Sequence, residues 1–139
     1  MKLLNPDYIA AIRKQINPCP YFTLQSMEVK ELDWGRSRLE IEISQKHLQP
    51  FGNVHGGVFS GLIDATGFWA LYTQAPEGPG MTTVEMKLNY MAPASSGKLI
   101  AHGKSIRLGR TLGLAEARVE HVEGRLLAHG TVTVMVLPD

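Results

Sequence analysis

Asp64 is the one charged side chain between His55 and Glu77. It sits in "NVHGGVFSGLIDATGFWALYTQ", Asn53 to Gln74, where every other residue is apolar, small or neutral. A carboxylate in such a setting must be hydrogen-bonded, ion-paired or shifted in pKa. One role is structural, satisfied by a neighbouring strand or by a helix partner in a dimer. The other is a general base or nucleophile in a cleft. The same stretch carries "HGG", His55 to Gly57, whose His lies nine residues before Asp64. At a helix start, first-turn amides lack an intrahelical acceptor and the helix dipole adds partial positive charge. Gly56 and Gly57 have no side chains to cover those amides. An oxyanion-stabilising donor two turns from a carboxylate is what acyl transfer to water requires. HGG also serves as a tight loop-to-helix junction, and a histidine such as His55 more often fixes that junction than does chemistry.

On a helix, Asp64 shares its face with Gly57, Ser60, Gly61, Gly67 and Phe68. Glycine inside a helix costs about 1 kcal/mol relative to alanine. Gly61 and Gly67 therefore imply close backbone approach, by a ligand or by a second subunit. Phe59, Phe68, Trp69 and Tyr72 are candidates for an acyl pocket, with at least two of the four expected in the core.

The elements that must position these residues follow from periodicity. Asn5 to Ile16 predicts a short helix, with Pro6 in its first turn and Ile9, Ile12 and Ile16 at helical spacing; "NPCPY" stops it. From Phe22 the pattern alternates, with "LQSMEVKEL" and "SRLEIEI" as paired strands around a "DWGR" turn. Gln45 to Asn53 predicts a loop with one helical turn. His55 to Thr73 is the main helix, ended by "QAPEGPG". Strands are expected over Thr82–Met91, Lys98–Leu108, Leu112–Glu120 and Leu126–Leu137. The economical architecture is α+β: a curled antiparallel sheet of five to six strands wrapped around one long central helix, with a short N-terminal helix. No repeat or linker divides residues 1–139, so one domain is expected.

Composition narrows the function classes. The chain is 44% hydrophobic and 19% charged with a net charge of +1, which gives no reason to expect nucleic acid or an anionic membrane as partner. A single cysteine, Cys19, permits no intramolecular disulfide and fits the cytoplasm. The first residues lack the apolar core of a secretory signal, and no uninterrupted apolar run reaches spanning length. His47, His55, His102, His121 and His129 are scattered, so no metal site is expected.

"NVHGGVFSGLIDATG", followed by the strands from "TTVEMKLNYM" to "GTVTVMV", resembles the hotdog-fold acyl-CoA thioesterases, over roughly Gln49 to Pro138. Within the 4-hydroxybenzoyl-CoA thioesterase superfamily it looks like the phenylacetate-degradation type. HGG with an Asp nine residues after its His carries the resemblance. The resemblance implies that Asp64 is the helix carboxylate, base or nucleophile. It makes Gly57 the amide that polarises the thioester carbonyl. Thr83 falls where relatives hold the water with a hydroxyl. Gln49 matches a polar amide six before the motif His, with Asn53 a nearby alternative. It implies a homodimer in which Asp64 of one chain faces Gly57 of the other, and dimers that pair again. Coenzyme A would enter as part of the substrate, with no cofactor. Lys104, Arg107 and Arg110 in "KSIRLGRT" would meet its phosphates, or else protect a solvated strand edge. Gly56, Ser60 and Phe68 would line the substrate. The rivals are a hotdog hydratase or dehydratase, for which His55 is the one pointer, a non-catalytic acyl-CoA-binding protein, and a purely structural dimerisation module.

Overall fold

A computed structural model describes residues 4–75 and 80–138. Helix α1 spans Pro6–Ile16. Asn5 caps it by accepting the Asp7 amide at 2.9 Å, and Pro6 occupies the first turn. "NPCPY" does stop α1, but the chain does not then become extended at Phe22. Pro20 opens a second short helix, α2, Pro20–Gln25, because a proline's fixed φ suits a first turn. Ser26 ends it in the left-handed region, at φ 53°, with its amide turned back to Phe22 and Thr23. The expected strand is therefore shortened at its start to β1, Met27–Asp33.

The remaining strands follow the alternation closely: β2, Arg36–Glu42; β3, Met81–Tyr90; β4, Lys98–Leu108; β5, Leu112–His121; β6, Leu126–Val136. A 3-10 turn at Gln45–His47 interrupts the loop before α3, Gly56–Tyr72. The part of the expected helix-ending stretch at 76–79 lies outside the described residues. All six strands are antiparallel neighbours in the order β1-β2-β4-β5-β6-β3. The sheet wraps α3, whose Val58, Phe59, Leu62, Ile63 and Leu71 are buried with Leu39, Leu99, Val119, Val132 and Val134 of the inner sheet face.

Small residues let helix and sheet meet. A Cβ at Gly103 of β4 would lie 2.4 Å from the Thr66 carbonyl of α3, which also accepts the Ser37 hydroxyl at 2.6 Å. A Cβ at Gly67 would lie 2.8 Å from Val132 Cγ2. Gly67 is thus accounted for by the protein's own sheet, not by a ligand or a second subunit. At the C-terminal end, the Thr73 hydroxyl accepts the Gly35 amide and donates to Ala70, both at 2.7 Å, which ties α3 to the β1–β2 turn.

His47 links the N-terminal segment to the start of α3. Fully buried, it takes the Ser44 amide on Nδ1 at 3.0 Å and donates from Nε2 to the Gln25 carbonyl at 2.7 Å. Its own carbonyl accepts the His55 amide at 2.9 Å. No described helix is long and apolar enough to cross a membrane.

Candidate active site

Asp64 lies half-exposed in the middle of α3, and β3 brings Thr83 to it. Thr83 pairs with Val134, whose side chain is buried against the helix, so Thr83 also points inward. A register shift at Val84 immediately follows. The Thr83 hydroxyl donates to Asp64 Oδ1 at 2.7 Å. Hydrogen bonding is thus one means by which this carboxylate is accommodated. The pair lines a cleft of about 460 Å³ walled by Tyr21, Phe22, Ala65, Phe68, Trp69 and Met81. Gly61 forms part of the floor, and a Cβ there would lie 2.4 Å from the Tyr21 hydroxyl. The bare helix surface at Gly61 is covered by the chain's own N-terminal segment.

Of the four helix aromatics, Phe59 is core, while Phe68, Trp69 and Tyr72 form a partly buried cluster. Phe68 and Trp69 meet edge-on with ring centres 5.0 Å apart.

The HGG end forms a second cluster. His55 is the N-cap of α3, and its Nδ1 accepts the Gly57 amide at 2.8 Å. Accepting at Nδ1 leaves the neutral ring with its proton on Nε2. The amide singled out for a thioester carbonyl is therefore held by an imidazole in the single chain. Gly56 is covered by Tyr90, whose ring atoms would lie 3.3 Å from a Cβ and whose hydroxyl donates to the Gly56 carbonyl at 3.3 Å. Gln49, Asn53, Gly56, Phe59 and Tyr90 line a separate cleft of about 390 Å³. Within it the Gln49 side chain accepts the Phe51 amide, and the Gln49 amide donates to the Asn53 carbonyl at 2.7 Å. Ser60 donates back to the Gly57 carbonyl at 3.1 Å.

The structure thus brings Asp64, Thr83 and Phe68 together, and Gln49, Asn53 and Gly56 together beside His55 and Gly57. It does not join the two groups. Seven residues at 1.5 Å each place Gly57 about 10 Å along the helix from Asp64. Tyr21, Phe22 and Tyr90 were not legible as site residues. The one signal for the first two is Pro20, which starts the helix that carries them.

The basic trio is divided. Lys104 follows Gly103, which faces the helix, so Lys104 faces outward. There it lines a groove of about 270 Å³ with Arg36, Arg38, His102, Glu116 and Arg118. Arg107 and Arg110 line a different hollow at the β4–β5 turn. In the groove, Arg38 holds the Glu31 carboxyl below its ordinary pKa through a hydrogen bond and its charge. Burial pushes His102 down, aided by Arg118. Among the described residues no three His, Cys, Asp or Glu converge to hold a metal ion.

Residues 51–128, more than half of the chain, match the family model described as the thioesterase superfamily. The sequence is 29% identical to acyl-coenzyme A thioesterase 13 of Mus musculus over 96 residues, 68% of each chain. The fold superposes on a thioesterase family protein of Silicibacter pomeroyi with a TM-score of 0.87 at 26% identity, covering 95% of this chain and 99% of that one. It also superposes on a hypothetical thioesterase protein of Streptococcus pneumoniae solved with coenzyme A, at a TM-score of 0.74 and 22% identity, covering 81% and 87%. A six-stranded sheet around one long helix, and a family match spanning HGG, Asp64 and Thr83, make this chain a hotdog-fold enzyme belonging to the thioesterase superfamily.

Proposed function

We propose that the protein hydrolyses the thioester of an acyl- or aryl-CoA, as a relative of the phenylacetate-degradation type, at a site shared by two copies of the chain. The observation that carries this is the Asp64–Thr83 pair in an aromatic-walled cleft, with the first-turn amide of Gly57, held in the single chain by His55, about 10 Å away on the same helix. One chain cannot present both to a single carbonyl. Two antiparallel helices can, with Asp64 of one opposite Gly57 of the other. The matches to an acyl-coenzyme A thioesterase and to a structure holding coenzyme A support the substrate class.

In this arrangement the thioester carbonyl takes the place of His55 Nδ1 at the Gly57 amide. Thr83 occupies one oxygen of Asp64 and leaves Oδ2 for the reaction. Asp64 draws a proton from water, and the resulting hydroxide adds to the carbonyl carbon. Alternatively the carboxylate adds directly and water cleaves the anhydride that forms. The oxyanion rests on the Gly57 amide and the C–S bond breaks; on the base route the CoA thiolate takes the proton held by Asp64, and on the direct route it takes the proton released by the water that cleaves the anhydride. The Thr83 lone pairs remain available to accept from the attacking water, with Gln49 or Asn53 of the other cleft as its second contact. The CoA phosphates, reached from a partner chain, would meet either Lys104 on the outer face or Arg107 and Arg110 at the β4–β5 turn. The working unit is a homodimer, with dimers able to pair again.

The test is thiol release from phenylacetyl-, benzoyl-, hexanoyl- and lauroyl-CoA by wild type and Asp64→Asn. A positioned base contributes about a hundred- to ten-thousandfold, so Asp64→Asn should lose at least that lower factor with its oligomer intact. Tight binding without turnover in wild type would make this a CoA-binding protein. Undiminished turnover in Asp64→Asn would place the chemistry elsewhere.

A further inference from the structure

The Asp64 cleft is backed by a second cavity. It is mainly apolar, about 150 Å³, and lies under α1 against the C-terminal half of α3, lined by Ile12, Ile16, Cys19, Phe22, Trp69 and Tyr72, with Gln15 at its side. Phe22 and Trp69 line both cavities, so these two side chains form the wall between them. The wall is braced on both sides. Phe22 is 5% exposed and belongs to α2, whose last carbonyl is bonded to the buried His47. Trp69 is held edge-on between Phe68 and Tyr72, with 5.0 Å between ring centres in each direction. An apolar cavity of about 150 Å³ is large enough to take a benzene ring.

We propose that Phe22 and Trp69 are the specificity-determining residues of the acyl site. Closed, their wall limits the protein to compact acyl groups, aryl or short-chain. Opened, it admits the distal carbons of a longer chain to the chamber beneath α1. This rests on Asp64 marking the thioester end of the substrate. Chain length is then set by the N-terminal segment, which contributes Phe22 and most of the chamber.

The experiment compares benzoyl-, hexanoyl- and lauroyl-CoA in wild type, Trp69→Ala, and Trp69→Ala with Ile12→Phe to refill the chamber. Discrimination by a few methylenes in an apolar pocket is about ten- to two-hundredfold. Wild type should favour benzoyl- over lauroyl-CoA by at least about tenfold, and Trp69→Ala should raise the lauroyl-to-benzoyl ratio of kcat/KM by about as much. Ile12→Phe should reverse that rise. A second readout needs no turnover. Cys19 is the only cysteine and lines the chamber. In Trp69→Ala, S-dodecyl-CoA should slow alkylation of Cys19 and S-benzyl-CoA should not; in wild type neither should. A wild-type ratio near one, a Trp69→Ala ratio indifferent to Ile12→Phe, or absence of Cys19 protection would each overturn the proposal. If wild type hydrolyses none of the three, the thioesterase reading fails, and Cys19 protection alone decides whether the chamber takes the chain.

Discussion

At the scale of single residues, the proposed chemistry rests on Asp64 and on Thr83, the side chain hydrogen-bonded to it. The position of Asp64 was legible because charge is absent from the rest of the stretch, and an isolated carboxylate demands a partner. The partner's identity came from the family resemblance, since nothing in the spacing of Asp64 and Thr83, nineteen residues apart, brings them together. The structure adds that the Thr83 hydroxyl is bonded to the carboxylate itself. A hydrogen bond to a charged group is worth about 1.5–3 kcal/mol, so Thr83→Val should lower kcat by roughly ten- to a hundredfold. Thr83→Ser should recover most of that loss, which a purely steric role for Thr83 would not predict. The bond from Gly57 to His55 was illegible for a different reason. HGG reads equally as an open amide pair and as a capped junction, and which nitrogen the ring turns inward is a matter of rotamer, not of sequence.

Elements were read well where period and termini agreed. The strands of the second half match their predicted bounds to within a residue, although register shifts at Val84 and Ile106 break the alternation inside β3 and β4 and leave both side chains exposed. The N-terminal hairpin was read as starting too early. In the sequence Pro20 reads as a helix stop, but the same fixed φ makes it the start of α2, which carries Tyr21 and Phe22. Glycines in α3 carried a true signal, close approach, but gave no direction for it. Gly67 meets Val132 of its own sheet. Alanine there gains about 1 kcal/mol of helix propensity and overpacks by about 1–3 kcal/mol. Gly67→Ala should therefore be destabilised by up to about 2 kcal/mol in urea unfolding. In a Val132→Ala background the same substitution should be neutral or stabilising, the coupling expected of touching residues.

For the whole molecule, the two ends of the sheet differ. At β1 the Asn17 amide group engages the backbone of Val29 in both directions, accepting from its N–H at 2.8 Å and donating to its carbonyl at 3.4 Å. At β3 none of the ten residues is buried, and Val84 and Tyr90 are 51% and 57% exposed. An exposed outer strand next to the Asp64 cleft is where a partner chain would sit in the proposed shared site. Complementation tests the sharing. Gly57→Pro removes the amide at a first-turn position where proline is tolerated. Mixed with Asp64→Asn, each inactive alone, it forms hybrid dimers with one doubly altered and one intact site. Random mixing should restore about a quarter of wild-type activity under two-fold symmetry. A site built within one chain would restore none.

The asymmetry of the two edges has a further consequence. A sheet with two bare edges can add copies at both ends and grow into a fibre. A pair joined through β3 would present only β1 at each extremity, where Asn17 already occupies the backbone of Val29 in the manner of another strand. Edge-to-edge growth would then stop at the pair, and any further pairing of dimers would use another face of the molecule.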